Sequence, residues 1–197
     1  LAAGWQNGQP VRAATAAAWQ QGRRLASALD TRWQESKRLR AGIATAWQEG
    51  MRRLAAACER GQSYAFETTL GGRSVPARLI DAARTHDVLV WYCGLASPEL
   101  HLARVQARVA AGGHDIPETK IRERWTASIA NLIALLPDLA EVRLFDNSAS
   151  VALGEPVPDP VPVAVIQRGR LIWPAGKEIA QLALTPDWAK PVLGAGL

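Results

Sequence analysis

The hydrophobic rhythm of the chain changes near Gly61, and the two patterns predict different kinds of element. From Leu1 to about residue 60, tryptophan recurs every 14 residues, at Trp5, Trp19, Trp33 and Trp47, and glutamine follows each one. A branched apolar residue comes six positions after the first three, at Val11, Leu25 and Leu39, with Leu54 one place late. Fourteen residues are two heptads, so on a helix these tryptophans form one slowly drifting stripe. The many Ala and Arg residues favour helix. Gly8, Gly22, Gly42 and Gly50 weaken it, and Pro10 marks a break or a start. The expectation is a mostly helical segment over 11–60.

After Gly61 the pattern becomes one of short apolar runs and amphipathic stretches. Ser63 to Thr69 reads as a strand ending in polar residues, and Gly71-Gly72 turns the chain into a helix over Ser74 to Arg84. Val88 to Cys93 is a continuous apolar run, the pattern of a buried parallel strand. Ser97-Pro98-Glu99 combines a hydroxyl cap, a first-turn proline and an acid at the positive end of a helix that runs to about Ala111. Gly112-Gly113 stops it, and Pro117 opens another that reaches Leu136. Val142 to Phe145 is a third strand. Residues 154–162 form a proline-rich linker, and Val163–Ile166 with Arg170–Trp173 form a hairpin around Gln167-Arg168-Gly169. A short helix over 176–184 precedes an uninformative tail. Strand, helix, strand, helices, strand predicts an α/β domain with an open parallel sheet. The predicted division is a repeat region over 1–60, an α/β region over 61–153 and a linker, hairpin and tail over 154–197.

Charge sharpens that division. Residues 1–62 carry 10 Lys and Arg against 4 Asp and Glu, whereas residues 63–197 carry 13 against 14. The basicity of the chain therefore belongs to the repeat and says little about what the α/β part binds. Apolar residues make up 48%, which excludes a disordered composition, and no apolar run approaches the roughly 18 residues of a membrane span. Cys58 and Cys93 have neither metal nor disulfide spacing, so they read as plain buried thiols in a reducing, cytoplasmic setting. The chain opens on Leu1 rather than Met, as a fragment of a longer product would.

Ligands of open α/β sheets bind beyond the carboxyl ends of the strands. Glu67-Thr68-Thr69, Gly94 to Ser97 and Asp146-Asn147-Ser148 are the polar clusters expected there. Glu67 can accept hydrogen bonds from substrate hydroxyls, and Thr68 and Thr69 can donate to oxygens. The same residues also read as simple turn caps. A second cluster is basic: Arg104 and Arg108 share a helix face at i and i+4, and Arg122 and Arg124 come early on the next helix, across a glycine turn. Arginine offers phosphate a planar, permanently charged fork. The alternative is a solvated helical pair laced with Glu118 and Glu123.

Ala65-Phe66-Glu67-Thr68-Thr69-Leu70 with Gly72-Arg73-Ser74, then Ser97-Pro98-Glu99-Leu100, Arg104-Val105, Arg108-Val109, Gly112 to Pro117, Ile121 to Arg124, Asn131-Leu132 and Asp146-Asn147-Ser148 stand in an order that resembles the later part of zeta-toxin-like P-loop kinases. The resemblance covers residues 53–147 or thereabouts. It implies a P-loop kinase-like sheet flanked by helices, ATP and Mg²⁺ as cofactors, and phosphoryl transfer to a small-molecule acceptor such as a UDP-amino sugar. An antitoxin protein is the implied partner. By the same resemblance Glu67 holds the acceptor, assisted by Thr68 or Thr69, while Arg104 or Arg108 and Arg122 or Arg124 engage the phosphates. No G-x-x-x-x-G-K-[ST] loop and no catalytic acid of the family pattern occurs in this sequence. No catalytic residue and no metal ligand is assigned. A kinase impaired by that lack is the first expectation. A non-enzymatic assembly module, self-associating through the Trp-Gln repeat, is the second. Nucleic-acid binding by the interleaved Arg and Trp of the repeat is the third.

Overall fold

The computed structural model describes residues 42, 45–149, 158–174 and 183–197. The chain divides into two compact units, Leu1–Ala57 and Cys58–Leu197. Of the repeat tryptophans only Trp47 lies within the described residues; Trp5, Trp19 and Trp33, and most of the expected helix over 176–184, fall outside them. Trp47 is on helix α1, which covers 45–59, and is exposed. Glu49, on the same helix, accepts hydrogen bonds from Arg52 and Arg53, which hold its carboxyl down at about 2. Two of the basic charges of the repeat are thus already matched to a carboxylate.

The second unit follows the order α2 (Ser74–Ala83), β1 (Leu89–Gly94), α3 (Pro98–Ala110), α4 (Glu118–Leu135), β2 (Glu141–Asp146), β3 (Val161–Gln167), β4 (Arg170–Trp173) and α5 (Lys190–Ala195). The four strands form one sheet in the order β1-β2-β3-β4. Only β1 and β2 are parallel; β3 and β4 return antiparallel, so the sheet is mixed rather than parallel. The hairpin therefore belongs to the sheet and is no appendage. Arg168 and Gly169, both at positive φ, make its two-residue turn, the geometry whose twist suits paired strands. Pro162, which cannot donate to a ladder, stands where the β2–β3 register shifts and beyond the reach of short β4.

In-register pairs assign the two faces of the sheet. Tyr92 stands beside Leu144, Val142 beside Ile166, and Leu144 beside Ala164. This face meets α2, α4 and α5, with Leu79, Leu132, Leu135, Val192 and Leu193 in a single apolar cluster. The opposite face carries Leu89, Trp91 and Cys93 on β1, then Arg143 and Glu141 on β2. Trp91 is 72% exposed and Leu89 59%. The apolar run at Val88–Cys93 is accordingly not a doubly buried strand: among the described residues β1 is an edge strand covered on one face. Cys93 is exposed and Cys58 half-buried, so neither is the core thiol expected.

Ser63–Thr69 also departs from expectation. It runs without strand pairing among the described residues, and the turn that follows it is held by α4: Asn131 Nδ2 donates to Leu70 O at 2.7 Å and to Gly72 O at 3.0 Å. The helix boundaries, in contrast, follow the local signals. Ser97 Oγ accepts the Leu100 amide at 3.2 Å and Pro98 opens α3. At the other end Gly113 N donates to Arg108 O and Gly112 N to Val109 O, with Gly112 at φ +89°, a paired closure that needs glycine.

The chain terminus contributes more than its composition suggests. Trp188 is 4% exposed, and its ring lies so close to Gly94 that a β-carbon there would come within 2.5 Å of it. Leu171 N donates to Gly196 O at 2.7 Å, fastening the terminus to β4.

Candidate functional site

The carboxyl ends of β1 and β2 lie side by side at Gly94 and Asp146. Two of the three predicted polar clusters meet there: Asn147 N donates to Gly94 O at 2.9 Å, and Ala96 N to Ser148 Oγ at 2.7 Å. Ser148 Oγ donates in turn to Asp146 Oδ1, which also accepts Trp188 Nε1–H at 3.0 Å. These polar groups are spent on one another, and the Trp188 ring covers Gly94. The third cluster is elsewhere. Glu67, Thr68 and Thr69 lie exposed on the loop that α4 holds, and Thr68 Oγ1 accepts the Leu70 amide at 3.1 Å, the turn-capping role. The Glu67 side chain has no hydrogen bond or ion pair among the described residues.

The basic cluster separates into two parts. Arg122 bridges two carboxylates: its NH1 meets Glu99 Oε1 at 2.6 Å and its Nε meets Glu118 Oε1 at 2.8 Å. This ties the first turn of α3 to the first turns of α4 and pulls the Glu99 carboxyl below the usual carboxylate range. The other three arginines pair with no carboxylate among the described residues. Arg104 donates to the carbonyl of Ala149 at 2.8 Å and Arg108 to that of His114 at 3.3 Å, and Arg124 makes no side-chain hydrogen bond.

Two of these arginines share a helix face with a histidine: His101, Arg104 and Arg108 stand at i, i+3 and i+7 along α3. Arg124, on α4, also acts on that imidazole through its charge. Partial burial, then the charges of Arg108, Arg104 and Arg124, push the His101 imidazole below its ordinary value. The helices that carry the arginines are anchored by buried residues: Val105, between Arg104 and Arg108 on α3, is 5% exposed, and Ile121 on α4 is 1% exposed. Gly71 sits against Arg124 so tightly that a β-carbon would lie 2.9 Å from Arg124 Cγ. An open depression of about 670 Å³ is lined by Gly71, Arg124, Thr126, Ala127 and the Lys120–Glu123 ion pair. It links the end of the Glu67–Leu70 loop to the face of α4 that carries Arg124.

Sequence reading had missed His101 and Trp188. The first was available in the i, i+3, i+7 spacing with the two arginines; the second offered only a lone large aromatic near the terminus. A basic cluster without carboxylates suits the phosphates of a nucleotide or an inorganic oxyanion. Mg²⁺ would arrive with such phosphates, since it is customarily held through one or two carboxylates plus phosphate oxygens; among the described residues no three His, Cys, Asp or Glu side chains are grouped to hold a metal. No described helix is long and apolar enough to cross a membrane. No protein-family model, no curated protein and no solved structure matches the chain.

Proposed function

We propose that the chain carries the acceptor-side and lid elements of a zeta-toxin-like, ATP-dependent kinase, with Arg104, Arg108 and Arg124 on the phosphates and Glu67 on a small acceptor of the UDP-amino-sugar class. One observation carries this reading: three arginines on two consecutive helices have no carboxylate partner among the described residues, while the fourth, Arg122, is neutralised. Phosphoryl transfer depends on positive charge placed about the migrating group and on little covalent chemistry by the protein. The glycine turn at Gly112-Gly113 joins the two arginine-bearing helices, as a lid over phosphates requires. Arg122 serves by fixing α3 to α4. Thr68 shapes the loop that presents Glu67, and Thr69 is free to contact the acceptor. ATP supplies the phosphoryl group when bound, and Mg²⁺ screens its charge. Lacking the backbone cradle and lysine of a P-loop, this chain by itself transfers slowly.

The test is direct. The chain is incubated with MgATP and UDP-N-acetylglucosamine, and the phosphorylated sugar is sought by mass spectrometry. A slow product that falls at least tenfold in Glu67→Gln, with nucleotide affinity preserved, is expected. Equal product from the variant would remove Glu67 from the acceptor site.

A second reading rests on a different surface. Leu89 and Trp91 are exposed on an edge strand that has no outer partner among the described residues, and such edges recruit further strands. An interaction module would use this edge. Sedimentation analysis of Trp91→Glu decides it: loss of self-association favours the module, and a monomer in both forms argues against it. Nothing in the described part of the repeat favours nucleic-acid binding.

A further inference from the structure

His101 precedes Arg104 by three residues and Arg108 by seven along α3, so all three project from one face. Unlike the arginines, it changes charge near neutral pH. The charge of Arg124, on α4, acts on it as well. The ring is half-buried, and neither of its nitrogens has a hydrogen-bond partner among the described residues. The charged groups nearby are accounted for. Glu99 and Glu118 are bound to Arg122, and Glu123 to Lys120. Asp146 accepts from Trp188 and Ser148. None of these four carboxylates is left to partner the imidazolium; on the turn whose His114 carbonyl Arg108 reaches, Asp115 makes no ion pair among the described residues and His114 is a second imidazole.

We propose that His101 is the fourth member of the phosphate site, donating a ring N–H to the anion that Arg104, Arg108 and Arg124 hold, so that binding takes up a proton. The inference rests on the reading of those arginines as phosphate ligands and adds a regulator to it. In the protein alone the imidazolium is disfavoured because part of its hydration is lost and the charges of Arg108, Arg104 and Arg124 act on it. A doubly charged oxyanion reverses that balance, since it lies between His101 and the arginines and accepts from all of them. Reciprocity then requires the anion to bind more tightly as the pH falls. The ligand class is a phosphoryl dianion, whether the terminal group of a nucleotide or free phosphate. In the unliganded protein the sign is opposite: with the folded value depressed below 6.5, stability is fully present above that pH and is lost as pH falls through the folded value.

Sulfate is the cleanest probe, because its charge is constant from pH 5.5 to 8. The His101 ring is followed by NMR in the full chain, with and without sulfate, at an ionic strength held constant with sodium chloride. The expected result is a His101 value raised by at least one pH unit at saturating sulfate, and sulfate binding at least about fivefold tighter at pH 5.5 than at pH 8. His101→Gln should retain binding at pH 8 and lose the pH dependence. An unmoved His101 resonance at saturation, no sulfate binding at all, or a pH dependence that survives in His101→Gln overturns the proposal. A parallel titration with MgADP separates the sources. If it binds with the same pH slope, the anion is nucleotide-borne. If sulfate raises His101 while MgADP does not bind, the proton-linked anion site stands and the kinase reading falls.

Discussion

Two regions of the second unit carry dense polar side chains at positions where an open sheet displays chemistry, and they are used differently. At the carboxyl ends of β1 and β2 the Asp146 and Ser148 side chains have partners within the fold, Asp146 with Trp188 and Ser148, and Ser148 also with the Ala96 amide, while Asn147 is held by its backbone N–H to the Gly94 carbonyl. On α3 and α4, Arg104 and Arg108 reach only backbone carbonyls, and Arg124 and His101 have no side-chain hydrogen bond among the described residues. A polar cluster that is complete within the chain is structural, and one whose charge is left unmatched is available to a ligand. Position at a strand end does not decide between them; the accounting of partners does.

The comparison breaks first, if it breaks, at Trp188. Trp188→Ala empties a closely packed site above Gly94 and leaves Asp146 short of a donor. It should cost about 3–5 kcal/mol by urea denaturation. A change below 1 kcal/mol would mean that the terminus is not part of the core. Gly94→Ala, which drives a methyl into the indole, should cost about 1–3 kcal/mol in the same measurement. Trp188→Phe retains most of the ring but not its N–H and should cost about 1–2 kcal/mol.

In the basic region the effects should fall on binding and leave the fold alone. Arg124→Ala should weaken sulfate or MgADP binding by roughly tenfold, the loss of a charge-assisted contact, with the urea midpoint unchanged. Arg122→Ala is the smaller effect, because its charge is already engaged by Glu99 and Glu118. Its affinity loss should be about threefold or less, and an equal loss would dissolve the distinction between Arg122 and the other three arginines. Smallest of all, Glu67→Gln should leave stability within about 0.5 kcal/mol, as for an exposed side chain without partners.

Legibility in the sequence followed how local the determining physics was. The boundaries of α3 and α4 and the turn of the hairpin are set by neighbouring residues: the Ser97 cap, the Pro98 and Pro117 starts, the Gly112-Gly113 closure and the Arg168-Gly169 turn. All of these were visible as spelling. What failed was decided at a distance. Ser63–Thr69 has the composition of a strand, but Asn131, some 60 residues away, holds the end of the segment against α4 instead. Val88–Cys93 has the uniform apolarity of a buried strand, yet one face of the sheet is uncovered among the described residues, which exposes alternate side chains. The four arginines were named as one group, but which of them meet a carboxylate depends on where Glu99 and Glu118 come to lie. Trp188 gave no periodic signal, since its role is to close a site built by strands 40 and more residues earlier.

The account stands on Arg104, Arg108 and Arg124 acting together on one anion, and calorimetric titration of MgADP into the wild-type chain and into the triple alanine variant of these residues addresses it most directly. The prediction is measurable binding to the wild type that is lost in the variant, at equal urea stability of the two proteins. Equal binding by both, or none by the wild type at millimolar nucleotide, contradicts it.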